Sequence, residues 1–365
     1  MATRDIAAAE LEALAIGAWI LGTGGGGDPY LGWLNMTRHY RQGAPVQLLD
    51  PEDLADDDLV AVVSTQGAPL VGQERLKDPE IAARPVRMME EYLGCRFRAL
   101  MPVEIGGSNA FQPLLVAAET GLPVVDADAM GRAYPEAQMT SFAVHDLQMF
   151  PLTMADVRDN EVVIARAASW KWMERTSRRI CTEWGSVAAT CKAPRSGREV
   201  KDCGILHTVS QAIALGEAVL AARAGHEDPI AAVLRQEAGR LLFRGKVADV
   251  ARRTTEGFLR GHADLDGLDG NAGQGFQLDF QNEFTIGRHD GRPVVMTPDL
   301  ICVLDSVSGD AVGTETLRYG QRVTVLALPA PPVLLTPRGL DLVGPRAFGY
   351  DLDFVSVFDA NGAAP

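Results

Sequence analysis

The stretch Phe97–Asp128, FRALMPVEIGGSNAFQPLLVAAETGLPVVDAD, decides the fold because it contains a strand, a helix and a second strand in succession. Phe97–Val103 is a short apolar strand, Asn109 can begin a helix that runs through Glu119, and Pro123–Val125 is the next strand. Leu59–Ser64, LVAVVS, is a further short apolar strand upstream. Strands that alternate with helices predict an α/β domain with a largely parallel sheet.

Polar side chains follow these strands at the points where they end. Ligands of such sheets bind outside the carboxyl ends of the strands, so this edge is the predicted site. The polar residues there are Gln66, Glu104, Asn109, Asp126 and Asp128. Each acidic residue among them has an equal claim to be a helix cap. Their shared position at strand ends favours a functional site.

A glycine run lies upstream in Ile20–Gly32, ILGTGGGGDPYLG. A helix from Asp5 to Leu21 precedes it, and Asp28 with Pro29 is typical of the start of the next helix. Free backbone N–H groups at such a loop can bind an anion or a carbonyl, although a flexible connector is the alternative. The predicted substrate-binding residues of this loop are Gly24, Gly25, Gly26, Gly27 and Asp28. Neither the phosphate-binding lysine motif nor the dinucleotide fingerprint is present, so no nucleotide is expected.

The second half of the chain changes character. Gly204–Gly225 is predicted to be a helix, and from Leu241 onward short alternating runs predict a β barrel or sandwich. We therefore expect an α/β domain over residues 1–165 and a domain over 166–365 that begins with helices and becomes β-rich. Cys203 and His207 lie four residues apart, a spacing that can put two metal ligands on one helix face, but no second pair completes a zinc site.

Composition limits the class of protein. The 365 residues carry a formal net charge of −14, which disfavours nucleic acid and anionic membranes as partners. No signal peptide or span of ~20 apolar residues is visible, so a cytoplasmic location is expected. Five scattered cysteines fit a reducing compartment better than a disulfide framework.

These motifs together resemble the S-methyl thiohydantoin desulfurase-like family. The resemblance rests on LGTGGGGDPYLG, EIGGSNAFQPL and VVDADAMGRAYPEAQM in the first half, and on QNEF, PDLICVLD, YGQRVTVLALP and GPRAFGYDLD in the second. It implies an N-terminal α/β domain, a β-rich C-terminal domain and hydrolysis of small sulfur-bearing cyclic imides in hydantoin catabolism. A non-catalytic ligand-binding or assembly subunit of a hydantoinase-type complex is the alternative.

Desulfurisation by water needs a base and a group that stabilises developing charge. Glu104, Asp126 or Asp128 can be that base, or they can hold a divalent metal such as zinc, with His145 as a further catalytic candidate. Arg132 can bind a substrate carbonyl or carboxylate together with Gln66 and Asn109.

The sequence leaves the role of Arg132 and the presence of a metal open. Arg132 can instead pair with Glu136, and whether a metal binds is left undecided. We expect a small-molecule substrate, a homo-oligomer and, as a second partner, a hydantoinase-type chain.

Overall fold

A computed structural model describes residues 3–43, 45–67, 69–72, 77–255 and 257–359 of the protein. The strands are β1 (Arg4–Asp5), β2 (Gln47–Leu49), β3 (Leu59–Gly67), β4 (Ala99–Pro102), β5 (Val124–Val125), β6 (Ala127–Asp128), β7 (Leu152–Ala155), β8 (Glu161–Ile164), β9 (Val187–Cys191), β10 (Arg195–Ser196), β11 (Ile205–Leu206), β12 (Arg240–Thr255), β13 (Phe258–Gly267), β14 (Gly275–Gln281), β15 (Glu283–His289), β16 (Arg292–Met296), β17 (Leu300–Asp305) and β18 (Arg322–Leu328). The helices are α1 (Glu10–Leu21), α2 (Tyr30–Tyr40), α3 (Pro69–Gly72), α4 (Pro79–Leu93), α5 (Gln112–Thr120), α6 (Ser141–Val144), α7 (Trp170–Glu183), α8 (Gly197–Cys203), α9 (Thr208–Ala224), α10 (Pro229–Gln236) and α11 (Pro337–Val343).

The first sheet is mixed rather than largely parallel. Its order is β1-β2-β5-β4-β3-β9-β7-β8, with β10 paired to β3. The neighbours β2, β5, β4 and β3 run parallel, as the alternation with α4 and α5 requires, whereas β9 and β7 are antiparallel additions. The sheet also includes β9 and β10, two strands from beyond residue 165.

Both faces of the first sheet are buried. Along β3, Ala61 and Val63 pack with α1, α4, α5 and α9, while Val60 and Val62 pack on the opposite face. A strand covered on both faces gives a continuous apolar run, which is why LVAVVS carries no polar alternation until Ser64.

The strand-rich second half is confirmed. It is a single antiparallel sheet, with order β16-β15-β14-β13-β12-β18-β17 among the described residues. The sheet curls into a half-barrel, so it is neither a closed barrel nor a sandwich. Phe243, Phe276 and Phe284 fill its interior. The paired strands β12 and β13 extend beyond β18 and form an arm that reaches α7.

Several element boundaries differ from expectation. Helix α1 begins at Glu10, because residues 4–5 pair as a strand with β2. The helix expected at Asn109 begins at Gln112, after a 3₁₀ turn. Asp28 does accept a hydrogen bond from the Tyr30 N–H at 2.8 Å, as a capping residue should.

Cys203 and His207 do not share a helix face. Cys203 is the last residue of α8, whereas His207 precedes α9, and β11 lies between them. The four-residue spacing therefore does not place the two side chains on one helix face, and that expectation is wrong. No helix in the described part of the chain is both long and apolar enough to traverse a lipid bilayer.

Candidate active site

A cavity of ≈ 130 Å³ opens where β3 and β4 end. An apolar cavity of about 150 Å³ holds benzene, so this volume suits a ligand built on one small ring. Six of the residues predicted from sequence line it: Gly26, Gly27, Asp28, Gln66, Glu104 and Asn109. The rule that ligands bind at the carboxyl ends of strands thus locates the cavity.

Glu104 follows β4 and is 6% exposed. One of its carboxylate oxygens accepts a hydrogen bond from the Asn109 amide, and the other accepts one from the Tyr134 N–H at 3.1 Å. The Asn109 side chain is itself fixed, because its Oδ1 accepts from the Thr65 N–H at 2.7 Å. Burial raises the pKa of Glu104 to about 7. A carboxyl group with that pKa exchanges a proton readily near neutrality.

Glu283 begins β15 in the half-barrel and lines the same cavity. It is 3% exposed, and its Oε2 has no hydrogen-bond partner among the described residues. Burial, followed by the nearby charge of Glu104, raises the pKa of Glu283 well above the ordinary value. Two carboxyl groups in one cavity, each in its own hydrogen-bonding environment, can divide the roles of base and acid.

Two lysines bring positive charge to the cavity. Lys192 directly follows β9, and Lys77 precedes α4. Burial lowers the pKa of Lys77 to about 8 and lowers that of Lys192 as well. Neither ammonium group forms an ion pair with any residue that the structure describes, so both are available to a ligand.

The glycine loop contacts both halves of the chain. Gly26 and Gly27 line the cavity, while Gly24 and Gly25 lie behind it against the half-barrel. A Cβ atom on Gly25 would lie 2.1 Å from Glu283 Oε1, and one on Gly26 would lie 2.5 Å from the Gly106 carbonyl oxygen. These positions require glycine because neighbouring groups occupy the space of a side chain.

Asp126 and Asp128 lie outside the cavity lining. Asp126 accepts hydrogen bonds from the backbone and the hydroxyl of Ser210 at the start of α9. Asp128 is fully buried and accepts from the backbone N–H groups of Ile105, Met130 and Gly131. Both carboxylates therefore stabilise loops and a helix end, which is the capping alternative, and we remove them from the candidate catalytic set.

His145 and Arg132 also lie outside the cavity lining. His145 is exposed at the end of α6 and does not line the cavity. The buried Arg132 guanidinium donates to Thr23 Oγ1 at 2.6 Å and to the carbonyl oxygens of Ala133 and Asp299. It thus joins the two halves of the fold, and no ion pair with Glu136 forms among the described residues.

The described part of the chain contains no obvious set of metal ligands. Within the described ranges, no three His, Cys, Asp or Glu side chains are grouped as a metal site would require. The charged residues of the cavity lining that were not predicted from sequence include Glu283, the two lysines, and Glu174 with Arg178 on α7. Of these, only Glu283 carried a signal, as part of the QNEF motif.

Comparison with known proteins agrees with the fold. A crystal structure of a protein from Chromobacterium violaceum matches with a TM-score of 0.82 and 23% identity, over 97% of this chain and 100% of that one. At this identity the likeness establishes the architecture alone. No curated protein sequence matches the chain significantly.

Two family domains match the chain in succession. The S-Me-THD-like N-terminal domain matches residues 9–166, and the S-Me-THD-like C-terminal domain matches residues 168–357. Both are domains of the thiohydantoin-related family that the sequence motifs resemble. The chain therefore belongs to the S-Me-THD-like family.

Proposed function

We propose that the protein is a hydrolase that converts an S-methyl thiohydantoin, or a related small cyclic thioamide, into the corresponding hydantoin. The observation that carries this proposal is the pair Glu104 and Glu283, two buried carboxyl groups that line one cavity and whose pKa values are both raised by burial. Family membership supports the thiohydantoin ring as substrate.

Glu104 is the base of the first step. Its carboxylate takes one proton from water while the water oxygen bonds to the ring carbon that carries sulfur. Glu283 begins this step in its protonated form and donates the proton to the adjacent ring nitrogen. The product of this step is a tetrahedral carbon that bears a hydroxyl group and the methylthio group.

The second step releases sulfur. Glu283, now a carboxylate, takes the hydroxyl proton, the carbonyl group forms and the carbon–sulfur bond breaks. Glu104 gives its proton to the departing sulfur. Hydantoin and methanethiol leave, and both carboxyl groups return to their starting protonation states. An unmethylated thiohydantoin would release hydrogen sulfide in the same way.

The cations and amides support this chemistry. The ammonium groups of Lys77 and Lys192 favour negative charge that develops on the ring or on sulfur in a site shielded from water. Asn109 keeps the Glu104 carboxylate at a fixed angle, because it holds that carboxylate and the backbone of Thr65 together.

The test is turnover of synthetic S-methyl thiohydantoin by the purified protein, with methanethiol measured by a thiol reagent and hydantoin by mass spectrometry. In ¹⁸O-labelled water, one label should enter the hydantoin carbonyl. Glu104→Gln should lower the rate by about 10²–10⁴-fold. The exposed Glu183→Gln on the same protein is the matched control.

Two results would replace this proposal. Loss of turnover on chelation, with recovery on zinc addition, would move water activation to a metal. Ring binding without turnover would favour the ligand-binding subunit.

We also propose that the chain forms a homo-oligomer. Size-exclusion chromatography with and without a hydantoinase chain tests this proposal.

A further inference from the structure

Gln66 has an unsatisfied acceptor in the cavity wall. It lies near the end of β3, is 6% exposed and lines the cavity. Its Nε2 donates to Ser177 Oγ at 3.1 Å and lies 3.5 Å from Glu174 Oε1. Its Oε1 is buried and has no partner among the described residues. Buried polar atoms are nearly always paired, so this one needs an explanation.

The orientation of the Gln66 amide is imposed by its neighbour. A carboxylate only accepts hydrogen bonds, so the amide nitrogen must face Glu174 and the amide oxygen must face away. Glu174 cannot turn aside, because Arg178 pairs with its Oε1 and the Ala137 N–H donates to its Oε2 at 3.0 Å. The unpaired oxygen is therefore a fixed feature of the wall.

Arg178 is in turn held by the arm of the half-barrel. Its guanidinium lies 4.4 Å from the centre of the Phe258 ring, at the start of β13. It also donates to the Pro135 carbonyl oxygen at 2.8 Å, in the loop that supplies further cavity wall. A cation over an aromatic face is attracted by the ring, so the arm fixes the guanidinium.

We propose that Gln66 Oε1 accepts a hydrogen bond from a ring N–H of the substrate and so selects rings whose nitrogen there is unsubstituted. Phe258 and Arg178 are positioning residues, which act on the ligand through Glu174 and Gln66. This inference rests on the proposed function: Glu283 serves one ring nitrogen as proton donor, and Gln66 serves the other as acceptor. A methyl group on that nitrogen both removes the donor and leaves Oε1 unpaired.

The experiment compares hydantoin with its 1-methyl and 3-methyl derivatives by calorimetric binding, and the matching S-methyl thiohydantoins by kcat/KM. The wild-type protein should disfavour one of the two methyl isomers by about tenfold or more, the cost of leaving a buried acceptor unpaired. Gln66→Met, which keeps the length of the side chain, should remove that preference while binding the disfavoured isomer as well as the wild type does. If Gln66→Met does not fold, the comparison of the two methyl isomers on the wild-type protein still tests whether the site needs an unsubstituted ring nitrogen.

The positioning role has its own control. Phe258→Leu should raise KM more than it lowers kcat and should weaken the isomer preference. Trp172→Leu removes a similar stacked ring, 4.8 Å from the Arg175 guanidinium on α7, and should change neither. Equal effects of the two substitutions would overturn the positioning role.

The outcomes separate the two proposals. Turnover without any isomer preference overturns the Gln66 inference and leaves the hydrolase in place. Hydantoin binding with the preference but without turnover supports Gln66 and overturns the hydrolase. Absence of both binding and turnover overturns both, and an unchanged preference in Gln66→Met overturns the inference alone.

Discussion

Replacing Glu104 by glutamine should make the protein gain stability relative to the wild type as the pH rises through neutrality, while it lowers the rate of turnover by about 10²–10⁴-fold. The carboxyl group is 6% exposed, and its raised pKa of about 7 means that the folded state holds its proton more tightly than the unfolded state does. Ionisation is therefore unfavourable in the fold. The proposed role as a base needs that ionised form, so the burial that would set the pKa for catalysis also costs stability.

The size of the effect follows from the two pKa values. The unfolded chain titrates near the ordinary value of 4.5, and the folded protein at about 7. At about 1.36 kcal/mol for each pKa unit, the penalty grows to roughly 3 kcal/mol. The stabilising contribution of the proton is complete below pH 4.5 and is lost as the pH rises through 7. Glutamine does not titrate and has no such loss.

The assay is urea unfolding of wild type and Glu104→Gln at pH 4.5 and pH 8. We expect the difference in free energy of unfolding to shift by roughly 3 kcal/mol in favour of the variant between these two values. Glutamine also loses one of the two acceptors that Asn109 and Tyr134 use, but that cost does not vary with pH. The control Glu183→Gln should show no such shift. A difference that is the same at both pH values would refute the buried, raised-pKa description of Glu104.

Three further outcomes are expected. The value of kcat/KM should fall about tenfold for each pH unit below 7, because Glu104 is then protonated, as a pH–rate profile will show. Glu283→Gln should lower kcat by about 10²–10⁴-fold while retaining hydantoin binding in calorimetry, since glutamine cannot donate a proton to the ring. Gly25→Ala should lower both the thermal midpoint and kcat, because its Cβ would lie 2.1 Å from Glu283 Oε1, whereas Gly270→Ala, with open space around it, should change neither. A Gly25→Ala protein with wild-type values would contradict the close packing of the loop.

The parts of the fold that depend on local pattern were predictable. The buried strands β3, β4 and β5 and the helices between them follow from apolar runs and turn residues in adjacent sequence. Because parallel strands share one carboxyl edge, Gln66, Glu104 and Asn109 could be assigned to one site. The antiparallel strands β7 and β9 could not be predicted as part of the first sheet, since their pairing with it depends on long-range contacts.

The same reasoning could not tell a cavity carboxylate from a capping one. Glu104 follows the parallel strand β4 and Asp128 lies three residues after the parallel strand β5, and burial raises the pKa of each to about 7. Asp128 is surrounded by three backbone N–H groups, whereas Glu104 accepts from one amide side chain and one N–H and still borders open space. Which arrangement arises depends on how the following loop folds back.

The glycine run explains how Glu283 reaches a site built mainly by the first half of the chain. Gly24 accepts a hydrogen bond from the Thr314 N–H, and Gly27 accepts one from the Ser108 N–H, each at 2.8 Å. The loop therefore lies between the strand ends of the first sheet and the half-barrel. Side chains there would push the two apart, because Gly25 and Gly26 have no room for a Cβ atom. The glycines thus let two carboxyl groups from distant parts of the sequence share one cavity. Of the four glycines, Gly26 and Gly27 line that cavity, so the ligand-binding role stays a prediction for these two.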